Sequence, residues 1–153
     1  MDILFRVKKQ FLQRLDSLEL PRNPVVIFDI DGTLIDYQGF PIIPIVDLYS
    51  EILERGIHVG IITARRHTDQ EKTLRILEKH GIRDYTFLYL MNYEVIQDPA
   101  RYKLEARFDI FSKGFYPIMS IGDMPWDIGM YGGIGYHIPS YHPSDNLFMQ
   151  RPN

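Results

Sequence analysis

Four short apolar runs punctuate the chain: Val25-Val26-Ile27-Phe28, Val59-Gly60-Ile61-Ile62, Thr86-Phe87-Leu88-Tyr89-Leu90 and Ile118-Met119-Ser120-Ile121. They are rich in β-branched and aromatic residues, and apolar residues at consecutive positions mark strands buried on both faces. The segments between them have helical period. Ile45, Leu48, Tyr49, Ile52 and Leu53 define a helix from Pro44 closed by Gly56. Thr68 and Glu71 have capping-box spacing ahead of Leu74, Leu77 and a closing Gly81. Leu104, Phe108 and Phe111 mark one face of a helix stopped by Gly114, a short helical stretch follows Asp127, and Gly135–Ile138 is a fifth strand candidate. Strand and helix alternating at this spacing predict right-handed βαβ units. The expected fold is α/β, a three-layer sandwich with a mostly parallel, Rossmann-like sheet of about five strands.

The 153 residues suit one domain with a core of its own. An amphipathic helix over about residues 2–18 carries Leu4, Phe11, Leu15 and Leu18. The core is expected over about 24–141, with a polar, Pro-containing tail over about 142–153 in which Leu147, Phe148 and Met149 are the apolar residues. Absence of cysteine excludes disulfides, thiolate nucleophiles and Cys-based metal sites, and fits a cytoplasmic location. The balance of 17 Lys+Arg against 20 Asp+Glu gives no overall positive field to gather nucleic acid or membranes. Neither a membrane span nor a secretory signal is expected, since acid and base residues interrupt the first apolar residues.

Ligands of open α/β sheets bind beyond the carboxyl ends of the strands. There the sequence sets Asp29 and Asp31 after the first strand, Thr63 after the second, and Asp123 with Asp127 after the fourth. Carboxylates converging from distant segments repel one another unless a cation joins them, and an oxygen-only set suits Mg²⁺. An EF-hand is excluded, because Gly32 at its sixth position would put Ile27 first and Gln38 twelfth.

Asp29-Ile30-Asp31-Gly32-Thr33, Ile62-Thr63-Ala64-Arg65, a lysine, and Gly122-Asp123-Met124-Pro125-Trp126-Asp127 together resemble the four motifs of the haloacid dehalogenase (HAD) superfamily. The acid-phosphatase-like branch, shared by plant storage-protein and class B phosphatases, is most similar. It is suggested by Tyr102-Lys103 with Arg107, Gly114-Phe115-Tyr116, and Ile138-Pro139 followed by Tyr141. The chain departs from that branch at Met124-Pro125-Trp126 and Leu90-Met91-Asn92.

The resemblance implies a HAD-like phosphomonoester hydrolase in which Asp29 is the nucleophile and Asp31 the general acid and base. Thr63 and Lys103 would hold the phosphoryl group, with Lys113 as the rival lysine. Gly32, Thr33, Ala64, Arg65, Arg66 and Arg107 would bind substrate. Mg²⁺ would be held by Asp29, the Asp31 backbone carbonyl and Asp123, with Asp127 either a further ligand or a residue that orients the others from behind. The gaps from Asp31 to Thr63 and from Thr63 to Lys103 are filled by the core's own elements, so the chain has no room for a cap domain. Only 37–43, with Tyr37 and Phe40, is left as a flap expected to pack on the body or meet a leaving group. Arg65, Arg66 and His67 suit a second phosphate or a nucleic-acid backbone, whereas His58, His80, His137 and Trp126 read as structural.

The implied partners are a phosphorylated small molecule or nucleotide, with homo-oligomerisation left open. Two alternatives stand beside this reading. One is a nucleic-acid-end 3′-phosphatase, suggested by Leu90-Met91 with Asp98, Arg101 and Lys103. The other is a non-catalytic binding protein that retains the fold.

Overall fold

The computed structural model describes residues 2–139. Four helices and five strands follow one another as α1 (Asp2–Ser17), β1 (Pro24–Phe28), α2 (Ile43–Glu54), β2 (His58–Arg66), α3 (Gln70–Lys79), β3 (Phe87–Met91), α4 (Pro99–Ser112), β4 (Tyr116–Gly122) and β5 (Ile134–His137). The strands form one sheet in the order β3-β2-β1-β4-β5, and every pairing is parallel. Helices α2, α3 and α4 make the crossovers from β1 through to β4 and lie on both faces, while β4 and β5 are joined without an α-helix. Tyr141 and the tail over about 142–153 lie outside the described residues. No helix among the described residues is long and apolar enough to cross a membrane.

Alternate residues of the central strands face opposite layers. Val26 and Phe28 of β1, with Val59 and Ile61 of β2, pack against Phe11, Leu15, Ile45, Leu48 and Ile52 from α1 and α2. Leu77 of α3 joins the same cluster. Val25, Ile27 and Ile62 face the other way onto Tyr102, Ala106 and Ile110 of α4. Three helices therefore cover one face and a single helix the other. Lys8 of α1 also pairs with Glu51 of α2 at 2.8 Å.

Several expectations need correction. The first helix ends at Ser17, β3 runs one residue further to Met91, and β5 starts at Ile134 and stops at His137. Strand β2 does not end before Thr63 but continues through Arg66, because Arg66 still pairs with Met91 of β3. The Thr68–Glu71 capping box does not form: His67–Asp69 make a 3-10 turn, so the cap of α3 falls on Asp69, without a side-chain bond. The short helical turn in the last motif precedes Asp127 rather than following it, spanning Pro125–Asp127.

The face of α4 is the most informative correction. Leu104, Phe108 and Phe111 do not define its buried side; Phe108 and Phe111 are exposed and meet Tyr131 and Tyr116 at the surface. The buried residues are Tyr102, Lys103, Ala106, Arg107 and Ile110. Two of these five are cations, so apolar periodicity points to the wrong side of the helix.

Ile110→Ala leaves a cavity under the helix and costs about 2–5 kcal/mol. Phe108→Ala removes a surface ring pair and costs about 1 kcal/mol or less. Urea unfolding midpoints of the two variants check the difference, and equal losses would restore the apolar-face assignment.

Candidate active site

Strand order reverses direction at β1: the chain moves outward through β2 and β3, then returns to build β4 and β5 on the other side. That makes the carboxyl ends of β1 and β4 a switch point where the flanking loops diverge and leave a crevice. Register places Phe28 beside Ile121 and Ile61, and the Asp29 N–H donates to the Ile121 carbonyl at 3.2 Å. Asp29, Thr63 and Asp123 consequently emerge at one edge.

Asp29, Asp123 and Asp127 are all buried, and each offers an oxygen within 4.8 Å of the others'. Lys103 reaches into this group from α4. Its Nζ donates to Asp29 Oδ1 at 2.9 Å and also to Asp127 Oδ1. The second Asp127 oxygen accepts the Met124 N–H at 2.9 Å. Asp123 Oδ2 accepts from the Tyr37 hydroxyl at 2.8 Å, while the Asp123 carbonyl lies 2.9 Å from His137 Nε2. Two glycines allow this crowding. A Cβ on Gly32, whose φ is +78°, would collide with the Asp123 carboxylate, and one on Gly122 with that of Asp127.

Three buried carboxylates against one lysine leave an excess of negative charge away from water. Burial first, and then the neighbouring Asp127 charge, push the Asp29 carboxyl well above its ordinary value, against the pull of Lys103. Burial works against the Lys103 charge too, yet Asp29 and Asp127 outweigh it and hold the ammonium above the usual lysine range. The group suits a hard divalent cation, because all its donors are oxygens and one more positive charge pair would balance it.

Asp31 lies at the mouth. Both its oxygens are taken by Arg65, Oδ2 by Nε at 2.9 Å and Oδ1 by Nη2 at 2.8 Å. This hydrogen bonding raises the Arg65 pKa above its ordinary value despite partial burial. Thr63 is buried on β2, and its Oγ1 accepts the Arg65 N–H at 3.1 Å. Asp29, Asp31, Thr63, Ala64, Arg65, Lys103, Asp123 and Tyr37 line a cavity of about 310 Å³, with Met124, Pro99 and Trp126 completing its wall.

The remaining sequence candidates are placed differently. Arg107 points away from the cavity; its Nε donates to the Met130 carbonyl at 2.8 Å and Nη1 to that of Trp126 at 2.9 Å. It braces the loop carrying Asp123 and Asp127 rather than facing the crevice. Gly32 and Thr33 spend their N–H groups on Ile35 and Ile30 inside a tight turn, so they shape the loop from behind. Arg66 lies outside, its guanidinium 4.6 Å from the Tyr93 ring centre. Lys113, the rival lysine, sits exposed at the end of α4 and pairs with Asp109 at 2.8 Å. Sequence reasoning did not find the Tyr37 contact with Asp123 or the Arg65 clamp on Asp31. Tyr37, six residues after Asp31, and Arg65, two residues after Thr63, were the available signals.

A family model described as HAD superfamily, subfamily IIIB (Acid phosphatase), matches residues 37–137, well over half of the chain. No curated protein matches. Among solved structures, the class C acid phosphatase from Bacillus anthracis superposes with a TM-score of 0.72 at 16% identity, covering 97% of this chain and 82% of that one. A chain of a Pnkp1/Rnl/Hen1 complex gives 0.70 at 18% identity over 80% of this chain. A second structure, of the Pnkp1/Rnl/Hen1 RNA repair complex, gives 0.67 at 18% identity and the same 80% cover. This chain spans about half the length of those two, 48% and 45%. At such identities the superpositions report the shared fold.

Lys103→Met takes the cation away from buried Asp29 and Asp127 and lowers stability by about 3–5 kcal/mol in chelator. A carboxyl with a raised folded pKa contributes stability that is complete below its unfolded value and lost as pH rises through the folded one. In chelator, wild type should therefore weaken relative to Asp29→Asn as pH climbs above 3.8. Urea midpoints across that range check the slope, and a constant difference would contradict the buried-charge account.

Proposed function

This chain belongs to the HAD superfamily, subfamily IIIB acid phosphatases, and on that premise we propose that it hydrolyses phosphomonoesters as a single, capless domain through an aspartyl-phosphate on Asp29. The observation that carries the reading is the buried lysine between Asp29 and Asp127, with Asp123 beside them and a cavity open above. An unprotected surface acid cluster has no need of such an arrangement.

In the first step an Asp29 oxygen forms a bond to phosphorus as the bond to the leaving oxygen breaks, and Asp31 delivers a proton to that oxygen. In the second, Asp31 takes a proton from water as the water oxygen attacks phosphorus, releasing inorganic phosphate and restoring Asp29. Thr63 donates from its hydroxyl to a phosphoryl oxygen. Lys103 holds Asp29 in position and offsets the charge of the incoming group. Asp29, Asp123, Asp127 and the Asp31 carbonyl would hold Mg²⁺, which supplies charge neutralisation to the phosphoryl oxygens. Positioning and electrostatics have to dominate, since one acid–base group supplies only about 10²–10⁴-fold.

A second reading, a phosphatase of nucleic-acid ends, is favoured by one observation. Beyond Asp31 the cavity continues into an open groove of about 550 Å³ lined by Arg65, Arg66 and Lys72, room for a bulky leaving group. The RNA repair complex shares the fold.

Turnover of an aryl phosphate with Mg²⁺ tests the proposal. Asp29→Asn should abolish it, Asp31→Asn should lower it about 10²–10⁴-fold, and acid quenching of wild type should trap an acid-stable, base-labile phosphoryl-protein. Equal rates in wild type and Asp29→Asn would refute the mechanism. Separately, Mg²⁺ at about 100 times its Kd should raise stability by about 2.7 kcal/mol, an increase that Asp29→Asn should largely lose.

A further inference from the structure

The cavity over Asp29 opens past Asp31, Tyr37 and Ala64 into a groove of about 550 Å³ along the end of β2 and the start of α3. Arg65 lines both spaces. At rest its guanidinium occupies both oxygens of Asp31, at 2.9 and 2.8 Å. A general acid must turn an oxygen to the leaving group, and an Asp31 held in this bidentate grip has both oxygens turned to the guanidinium. The pair is nevertheless partly solvated, with side-chain exposures of 21% and 31%, so its hold is weak and open to competition. A phosphate is a strong competitor, because the guanidinium fork matches its oxygens as well as it matches a carboxylate, and a phosphomonoester bears more charge as well.

The groove wall provides partners for such a group. Arg66 is fixed there by stacking 4.6 Å over Tyr93, whose hydroxyl is pinned to the Ala64 carbonyl at 2.8 Å. Lys72 stands on the first turns of α3 and forms no ion pair among the described residues. The buried Thr73 beside it has a hydroxyl without a hydrogen-bond partner. Three acids line the groove: Asp31, held by Arg65, and Asp36 and Asp69. Asp36 spends one oxygen on the N–H groups of Gln38 and Phe40, and Asp69 is exposed. Once Arg65 leaves Asp31, the three cations Arg65, Arg66 and Lys72 stand among these three acids, of which Asp36 already accepts from backbone N–H groups.

We propose that the groove takes a second phosphate carried on the substrate's leaving group, and that this phosphate draws Arg65 off Asp31. Substrate recognition and release of the acid are then one event. The inference rests on the phosphatase reading and adds the substrate class, a phosphomonoester with a further phosphate within reach. Such a group is present both in small bisphosphates and in the last phosphodiester of a 3′-phosphorylated nucleic acid.

The experiment compares kcat and KM for alkyl monophosphates with those for alkanediol bisphosphates of increasing chain length, and for a nucleoside 3′-phosphate with a 3′-phosphorylated dinucleotide. At the chain length that spans the two spaces, kcat/KM should rise about tenfold or more, with a gain in kcat as well as a lower KM. Arg66→Gln with Lys72→Gln should bring the bisphosphate-to-monophosphate ratio close to one. Arg65→Gln should erase the kcat advantage, which mere electrostatic attraction to the groove would not produce. In catalytically inert Asp29→Asn, calorimetry should show the same preference for the bisphosphate. An advantage confined to the dinucleotide identifies a nucleic-acid end as the source, and one shared by the alkanediol compounds identifies a small bisphosphate. Equal kcat/KM for mono- and bisphosphates at every length, with turnover intact, overturns the inference and leaves the phosphatase reading standing. Absence of turnover for every ester overturns the phosphatase reading, and the inference falls with it.

Discussion

Lys103 is held in the interior by two carboxylates that reach it from different parts of the chain, Asp29 after β1 and Asp127 after β4. An ammonium without partners would not remain charged there, and the acids without the ammonium would resist being buried together. The ion group therefore ties α4 to the ends of both central strands at the point where the sheet changes direction. Arg107, one helical turn further along the same buried face, serves the neighbouring loop by a different route. It binds the carbonyls of Trp126 and Met130, and burial lowers its pKa from the usual arginine value. One face of α4 thus supplies a cation for the acids and another for the backbone that positions them.

Around that group the architecture works largely by permitting close approach. Gly32 and Gly122 leave room for the carboxylates of Asp123 and Asp127, which any side chain at those positions would displace. The flap is organised in the same local way. Asp36 accepts from the N–H groups of Gln38 and Phe40, Gly39 turns with φ +93°, and His80 Nε2 lies 3.1 Å from the Gly39 carbonyl. This fastens the segment to the far end of α3 and sets Tyr37 over Asp123. Phe40, by contrast, is exposed at 63% and contributes no wall to the cavity.

Much of this was legible in the residues. Consecutive apolar positions located the central strands because a parallel sheet buries both of its faces, and the acids after each strand followed from where such sheets leave crevices. The buried face of α4 was not legible. Its apolar residues Ala106 and Ile110 are diluted by Lys103 and Arg107, while Phe108 and Phe111 give the opposite face a stronger apolar signal. The Thr68–Glu71 spacing misled because a 3-10 turn took Thr68 before α3 began and left Glu71 in the helix's own first turn. Arg65 was identifiable as a site residue, but its partner was not. That contact depends on β2 continuing past Thr63 and carrying the arginine up to the mouth.

By itself the sequence determined the order of strands and helices, the oxygen-only character of the site and the absence of any thiol chemistry, since composition and short-range periodicity are properties of the chain alone. Only the tertiary structure decided which lysine meets the acids, which arginine braces a loop and which one clamps Asp31. Those outcomes turn on register and on the rotation of one helix about its axis, quantities set by how whole layers pack and invisible to any local window of residues.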